Sequence, residues 1–357
     1  MTRQTWTALV SALTFVALAA LLAVVGVPYV AWSPGGTHNT LGDVPVKAGE
    51  PGHGQPMIQI SGTPTYPTTG ELDLTTVSVT SAASRLSLPE ALAAYWLPDR
   101  DTLPRDSVYP PGTSADDAQQ RESQLMTGSQ DNAIVAALRE AGQPVIERPM
   151  ITAVTIGAPA YGKLEPGDLI LSIGDTTIKK VDDVGTAIRS YAVGDPVRFV
   201  VSRQGQGKTI VVNTAASGGQ SGVPVVGITV GTGYSYEPDI SFDLGEQIGG
   251  PSAGLVFALA IYDKITPGPL LDGRHVAATG SITATGTVGP IGGIQQKIAG
   301  AQRAGASVFL VPIDNCKDLA GIDTQLSLVK VETLDSAVTA LGQIGALGPQ
   351  APGLPRC

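Results

Sequence analysis

Gly249-Gly-Pro-Ser-Ala-Gly-Leu-Val-Phe-Ala-Leu-Ala-Ile-Tyr262 places a tight turn directly before a run of apolar residues. Gly249, Gly250 and Pro251 force the turn, and the apolar run reads as a helix to about Asp263. Ser252 therefore stands at or just before a helix N-terminus. The first backbone N–H groups of a helix have no partner within it, and with the helix dipole they can hold a developing oxyanion. A nucleophilic serine fits that geometry. An ordinary N-cap serine fits it too, and the turn alone does not separate the two.

A nucleophilic serine needs a base. Of the three histidines, His38 and His53 fall in a Gly- and Pro-rich stretch, and only His275 lies in the same region as Ser252. Lysine can replace histidine where burial lowers its pKa. Lys297 suits that role: Gly292-Gly293 precedes a helix from about Ile294 to Arg303, and Ile294, Lys297, Ile298 and Ala301 share one face. A lysine on such a stripe either snorkels from its edge or is buried as a tuned base. Lys264 at a helix end and Lys317 in a polar loop are weaker candidates.

Between these helices lie Val276-Ala-Ala-Thr-Gly-Ser-Ile-Thr283 and Ala284-Thr-Gly-Thr-Val-Gly-Pro-Ile-Gly-Gly293. The segments together resemble the proteolytic domain of Lon proteases. The matching pieces are Gly-Pro-Ser-Ala-Gly at 250–254, Thr-Gly at 279–280, Gly-x-Val-x-Pro-Ile-Gly-Gly at 286–293 with Lys297 beyond it, and Ala-x-Arg-Ala-Gly-Ala at 301–306 before Val308–Pro312. The resemblance implies Ser252 as nucleophile, Lys297 as base, Thr279 as the residue orienting the ammonium, and Gly250 and Pro251 as the supporting turn. It departs from the family at two places. Ile248-Gly249 stands where typical members carry Lys-Asp, and Ser281 stands where they carry an acidic residue.

Upstream, Ile151–Ile156, Leu169–Ile173, Val197–Arg203 and Thr209–Val212 read as strands. Glu165-Pro-Gly-Asp168 and Gly174-Asp175 read as turns, and a short helix runs from Asp182 or Asp183 to about Tyr191. This order resembles a bacterial PDZ domain, which would bind extended peptides by strand addition. Gly207-Lys208-Thr209 imitates the end of a phosphate-binding loop, but Ser202 stands where that loop needs its first glycine. No nucleotide is expected.

From Thr5 to Gly42 no charged residue occurs. Ala8–Trp32 is almost wholly apolar, and about 25 residues suffice to cross a bilayer core of about 30 Å. As an anchor, with Arg3 before it, it would put the N-terminus in the cytoplasm and the remainder outside; the alternative is a cleaved signal peptide, whose apolar core is usually shorter and ends in a small-x-small site. Pro28, Tyr29 and Trp32 would mark the outer interface. A net charge of -9 argues against nucleic-acid binding. Two cysteines, Cys316 and Cys357, and scattered histidines offer no metal-ligand spacing. An oxidising compartment would permit a bridge between the two cysteines.

The expected architecture is α+β, with one N-terminal transmembrane helix, a PDZ-like domain and a Lon-type proteolytic domain. The boundaries are a cytoplasmic tail at 1–7, the transmembrane helix at 8–32, a linker at 33–56, a membrane-proximal region at 57–145 that either stands alone or, the favoured reading, lends its strands to the peptidase sheet, the PDZ-like domain at 146–216, the proteolytic domain at 223–342 and a Pro/Gly-rich tail at 343–357. Within 57–145, residues 98–117 read as irregular, and a helix capped by Ser129 or Asp131 runs to about Glu140. The expected function is a serine endopeptidase of the cell membrane, without ATP, metal or other cofactor, acting on flexible extracytoplasmic proteins or peptides. Homo-oligomerisation is left open. The rival reading is a non-catalytic peptide-binding scaffold on a Lon-like fold, against which the intact Ser252–Lys297 pair speaks.

Overall fold

The structure is a computed structural model that describes residues 3–44, 54–218, 220–244 and 249–357. His53 and Ile248 lie outside the described residues. The apolar N-terminal run divides into a helix and strands. Helix α1 spans Arg3–Val24, about 33 Å at 1.5 Å per residue, and its side chains from Arg3 to Ala23 are exposed. Strands β1 (Gly26–Val27) and β2 (Tyr29–Asn39) follow. The expected helix end is Trp32 and the expected linker start is Ser33. Both boundaries are corrected, because Gly26 and Pro28 interrupt the helix and Tyr29–Asn39 finds strand partners. Hydropathy does not distinguish a helix in lipid from a strand buried in protein, and Val30 is fully buried.

Strand β3 (Glu71–Val79), the two-residue β4 (Leu86–Ser87), helix α2 (Leu88–Trp96), β5 (Asp101–Pro104) and helix α3 (Ala115–Glu140) come next. The stretch 98–117 is therefore irregular only in part: residues 101–108 and 115–117 lie in elements, and 109–114 remain without regular structure. Helix α3 starts at Ser114 rather than at Ser129 or Asp131. The Ser114 hydroxyl accepts from the Asp117 N–H at 3.0 Å, and the Asp117 carboxylate accepts from the Ser114 N–H at 3.2 Å, a reciprocal cap. The first half of α3 is polar and exposed, so it carries no apolar stripe to read.

Gln143–Glu237 forms a separate compact unit. Its strands are β6 (Ile146–Val154), β7 (Leu169–Ile173), β8 (Pro196–Arg203), β9 (Gln206–Asn213) and β10 (Ile228–Ser235), with helix α4 at Val181–Arg189 between β7 and β8. The sheet order is β9-β8-β7-β6-β10, with Thr176–Thr177 paired to β7. Ile151, Ile170, Val184, Phe199 and Val201 share its core. Asp168 of the Pro-Gly-Asp turn is fully buried and takes two hydrogen bonds from Arg203, at 2.6 and 2.8 Å. The expected boundary at 216, with residues from 223 in the next domain, is corrected. The structure instead pairs Ile228–Ser235 antiparallel with Ile146–Val154 along its whole length. Alternation identifies a strand but not its partner.

The other unit resumes with helix α5 (Gly254–Ile265), β11 (His275–Ala278), helix α6 (Ile294–Ala304), β12 (Val308–Pro312), β13 (Ser327–Val331) and helix α7 (Leu334–Leu347). A six-stranded sheet runs β13-β12-β11-β3-β2-β5. Its first four strands are parallel, β2 runs antiparallel to β3, and β5 runs antiparallel to β2. Thus β3, from the membrane-proximal region, lies in the interior of the sheet. Helix α6 packs Ile294, Ile298 and Ala301 against Ala277, Phe309 and Val311 of that sheet. Cys316 and Cys357 are joined by a disulfide. The chain end packs Ala351 and Leu354 inward and bridges to the sheet at Val329↔Arg356.

Candidate active site

Pro251–Ala253 forms a single 3-10 turn that runs into α5. Gly250 before it has φ +89, a conformation that suits glycine alone without strain. The Ser252 carbonyl accepts from the Gly280 N–H at 2.9 Å and from the Thr279 hydroxyl at 3.1 Å. The Leu255 N–H donates to Gly280 at 3.0 Å. The loop after β11 therefore clamps the turn from one side.

Lys297 enters from α6. Its ammonium lies 2.9 Å from Ser252 Oγ and 3.0 Å from Thr279 Oγ1. Lys297 is only 3% exposed, and Thr279 is fully buried. Burial pushes the lysine down to about 7 from its ordinary 10.5, because a low-dielectric site disfavours the charged form. The structure thus brings Ser252, Lys297 and Thr279 together, with Gly250 and Pro251 in the supporting turn. In the neutral form the same Lys297–Ser252 contact can reverse, with Ser252 O–H donating to the amine. Such a pair can move a proton from hydroxyl to amine near neutral pH.

His275 does not join this group. It opens β11, four residues before Thr279, which is about 13 Å along a strand. Its Nε2 is 2.8 Å from Asp73 Oδ2 and 3.5 Å from Glu71. Glu71, Asp73 and His275 also bring ligand-type atoms within 4.8 Å of one another, a grouping that the scattered sequence positions did not reveal. A histidine–carboxylate pair accounts for the contact at 2.8 Å.

Three residues near the site were not anticipated. Ser129, buried in the middle of α3, donates to the Pro251 carbonyl at 3.0 Å. Glu122 from the same helix accepts from the Gly250 N–H through its backbone at 3.3 Å. Its carboxylate lies where a Cβ on Gly250 would come within 2.8 Å. A carboxylate from α3 thus sits beside the position where the expected acidic residue is replaced by Gly249. Trp32, expected at the membrane interface, instead turns its indole onto Gly292 and Gly293. None of these contacts is local in sequence; the Ser114–Asp117 capping pattern is the signal that could have announced the first half of α3.

The match to known proteins falls on this geometry. Residues 247–341 match the model of the Lon protease (S16) C-terminal proteolytic domain. The chain carries a Lon-type proteolytic domain. A PDZ domain model matches residues 124–214, which includes the end of α3 and leaves out β10. Lon protease 1 of Sorangium cellulosum is 39% identical over 107 residues, covering 29% of this chain and 13% of that protein. Lon protease 2 of Herpetosiphon aurantiacus is 42% identical over 93 residues, covering 25% of this chain and 11% of that protein. The chain therefore spans about an eighth of the length of these relatives, 13% and 11%. The PDZ domain of an SdrC-like protein from Listeria monocytogenes is 26% identical, with 23% of this chain and 86% of that one covered and a TM-score of 0.22. Ser252, Lys297 and Thr279 all lie inside the segment that the Lon-type domain matches.

Proposed function

We propose that this chain is a membrane-anchored serine endopeptidase that works without ATP, with Ser252 as nucleophile and Lys297 as general base. The observation that carries the reading is the buried Lys297 amine, lowered to about 7 and 2.9 Å from Ser252 Oγ. The neutral amine takes the Ser252 proton as Oγ bonds to the peptide carbonyl carbon. Backbone N–H groups between Ser252 and Gly254, after Pro251 and before the Leu255 N–H that is bound to Gly280, stabilise the oxyanion. The C–N bond then breaks, and the leaving amine takes the proton from Lys297. Water attacks the resulting ester, giving its proton to the same lysine, and Ser252 is restored. Thr279 Oγ1, 3.0 Å from the amine, fixes its direction.

Substrates are flexible proteins or peptides outside the membrane. Three features support this. Helix α1 is apolar, fully exposed and long enough to span a bilayer. The Cys316–Cys357 disulfide suits an oxidising compartment. In the PDZ domain, β10 is an edge strand beside α4, the arrangement by which an extended peptide adds to a sheet. A fluorophosphonate probe applied to the full-length protein tests the chemistry. Wild type should be labelled covalently, and Ser252→Ala and Lys297→Arg should not. Equal labelling of Ser252→Ala, or none of wild type, would reject it.

A further inference from the structure

The surface of α2 is inverted. Its buried residues are two small ones, Ala91 and Ala94, while Leu92, Tyr95 and Trp96 are 40%, 69% and 74% exposed. Residues spaced i, i+3 and i+4 share one face of a helix, so these three form a single outward stripe, and Leu97 continues it at 47% exposure. A helix on a water-facing surface buries its large apolar stripe and exposes the small or polar one. The inverted helix is also well fixed: Pro89 stands in its first turn, and the Glu90 carboxylate accepts from the Ser87 N–H at 2.9 Å and from the Ser87 hydroxyl at 2.7 Å.

The position of α2 identifies what covers that stripe. Helix α1 ends at Val24, and Gly26–Val27 immediately pairs with Leu86–Ser87 in the register Gly26↔Ser87. Helix α2 begins at the next residue, Leu88. One ladder pair thus ties the start of α2 to the exit of α1, and the two helices are in contact. At about 14 Å long, α2 remains close to that exit along its whole length. Tyr29, also exposed at 43%, lies on β2, against which α2 packs.

We propose that α2 lies in the headgroup layer of the bilayer that α1 crosses, with Leu92, Tyr95, Trp96 and Leu97 turned into it. Tyr and Trp have an apolar body and a polar tip, which suits that layer, and a short helix with one apolar face can lie in it. The Lon-type domain is then held by two elements rather than swinging on a single tether. The inference rests on the reading of α1 as a membrane span, and the test separates the two.

Full-length protein is reconstituted into vesicles containing lipids brominated near the headgroup, and tryptophan quenching is compared for wild type, Trp6→Phe and Trp96→Phe, with Trp32 common to all. Trp6 lies in α1 and reports the anchor. The expected result is that a part of the headgroup quenching is lost in Trp6→Phe, reporting the anchor, and a part in Trp96→Phe, reporting α2. Loss in Trp96→Phe alone would keep the docking and overturn the anchor. Quenching lost in Trp6→Phe but unchanged in Trp96→Phe would leave the anchor in place and overturn the docking of α2. Quenching unchanged in both variants would overturn the anchor and the docking together. Shielding of Trp96 from aqueous acrylamide without lipid quenching would assign the stripe to a second protein and also overturn the proposal.

Discussion

Trp32 packs its indole against Gly293, the residue that opens the helix carrying Lys297. Gly293 has φ +69, and a Cβ there would lie 2.7 Å from Val77 Cγ2 and 3.0 Å from the Trp32 ring. Gly293→Ala should therefore lose about 1–2 kcal/mol from its left-handed backbone and about 1–3 kcal/mol from overpacking. Because the displaced residue is the N-cap of α6, kcat should fall along with the melting temperature. A variant with wild-type kcat would show that the start of α6 does not set the position of Lys297.

Lys297 makes activity and stability depend on pH in a linked way. Its folded pKa of about 7 lies below the ordinary 10.5. Between those values the unfolded chain holds the proton and the folded chain does not, so stability rises with pH across this window. Below about pH 7 the folded state carries the full burial penalty, on the order of 5 kcal/mol. Activity should rise through an apparent pKa near 7. Lys297→Met should be inactive yet melt higher than wild type at pH 6, with the gap narrowing toward pH 10. Thermal melts at both pH values check it; a Met variant that melts lower at pH 6 contradicts the buried amine.

Ser129→Ala removes the hydrogen bond to the Pro251 carbonyl. The lost bond is worth about 1 kcal/mol, roughly a five-fold effect. The loss should appear in kcat with KM unchanged, since the bond holds the Ser252 turn from the buried side. An effect on KM alone would count against this role.

The disulfide closes a separation of 41 residues, for which the chain-entropy account gives at most about 4 kcal/mol. Cys357→Ser should lower the melting temperature without changing the rate of peptide cleavage. Full alkylation of both thiols in unreduced protein would show that the bond is not formed.

Excising Gln143–Glu237 should raise KM for protein substrates much more than for short peptides, if the PDZ domain presents chain segments. The cut must include β10, because removing only 146–216 leaves Ile228–Ser235 without its partner strand. Equal changes for both substrate types would make the unit a spacer.

Much of the site was legible in the sequence because its parts are short and local. The Gly-Pro-Ser turn, the Gly-Gly start of α6 and the Ile294–Ala301 stripe each state their own conformation. Ser129 and Glu122 were not legible, because both come from α3, far away in the chain. Neither were the roles of Trp32 and α2: their apolar residues announce burial or lipid but not which.

The sequence alone determined the apolar N-terminal segment, the order of motifs, and the residue types at 252, 279 and 297, since these follow from periodicity, turn chemistry and backbone freedom within a few residues. Only the tertiary structure decided that Lys297 is buried against Ser252, that Tyr29–Asn39 is a strand, that Ile228–Ser235 belongs to the PDZ sheet, and that Cys357 returns to Cys316. Each of these depends on which distant surface a segment meets. Burial, strand pairing and pKa are properties of that meeting and not of the segment itself.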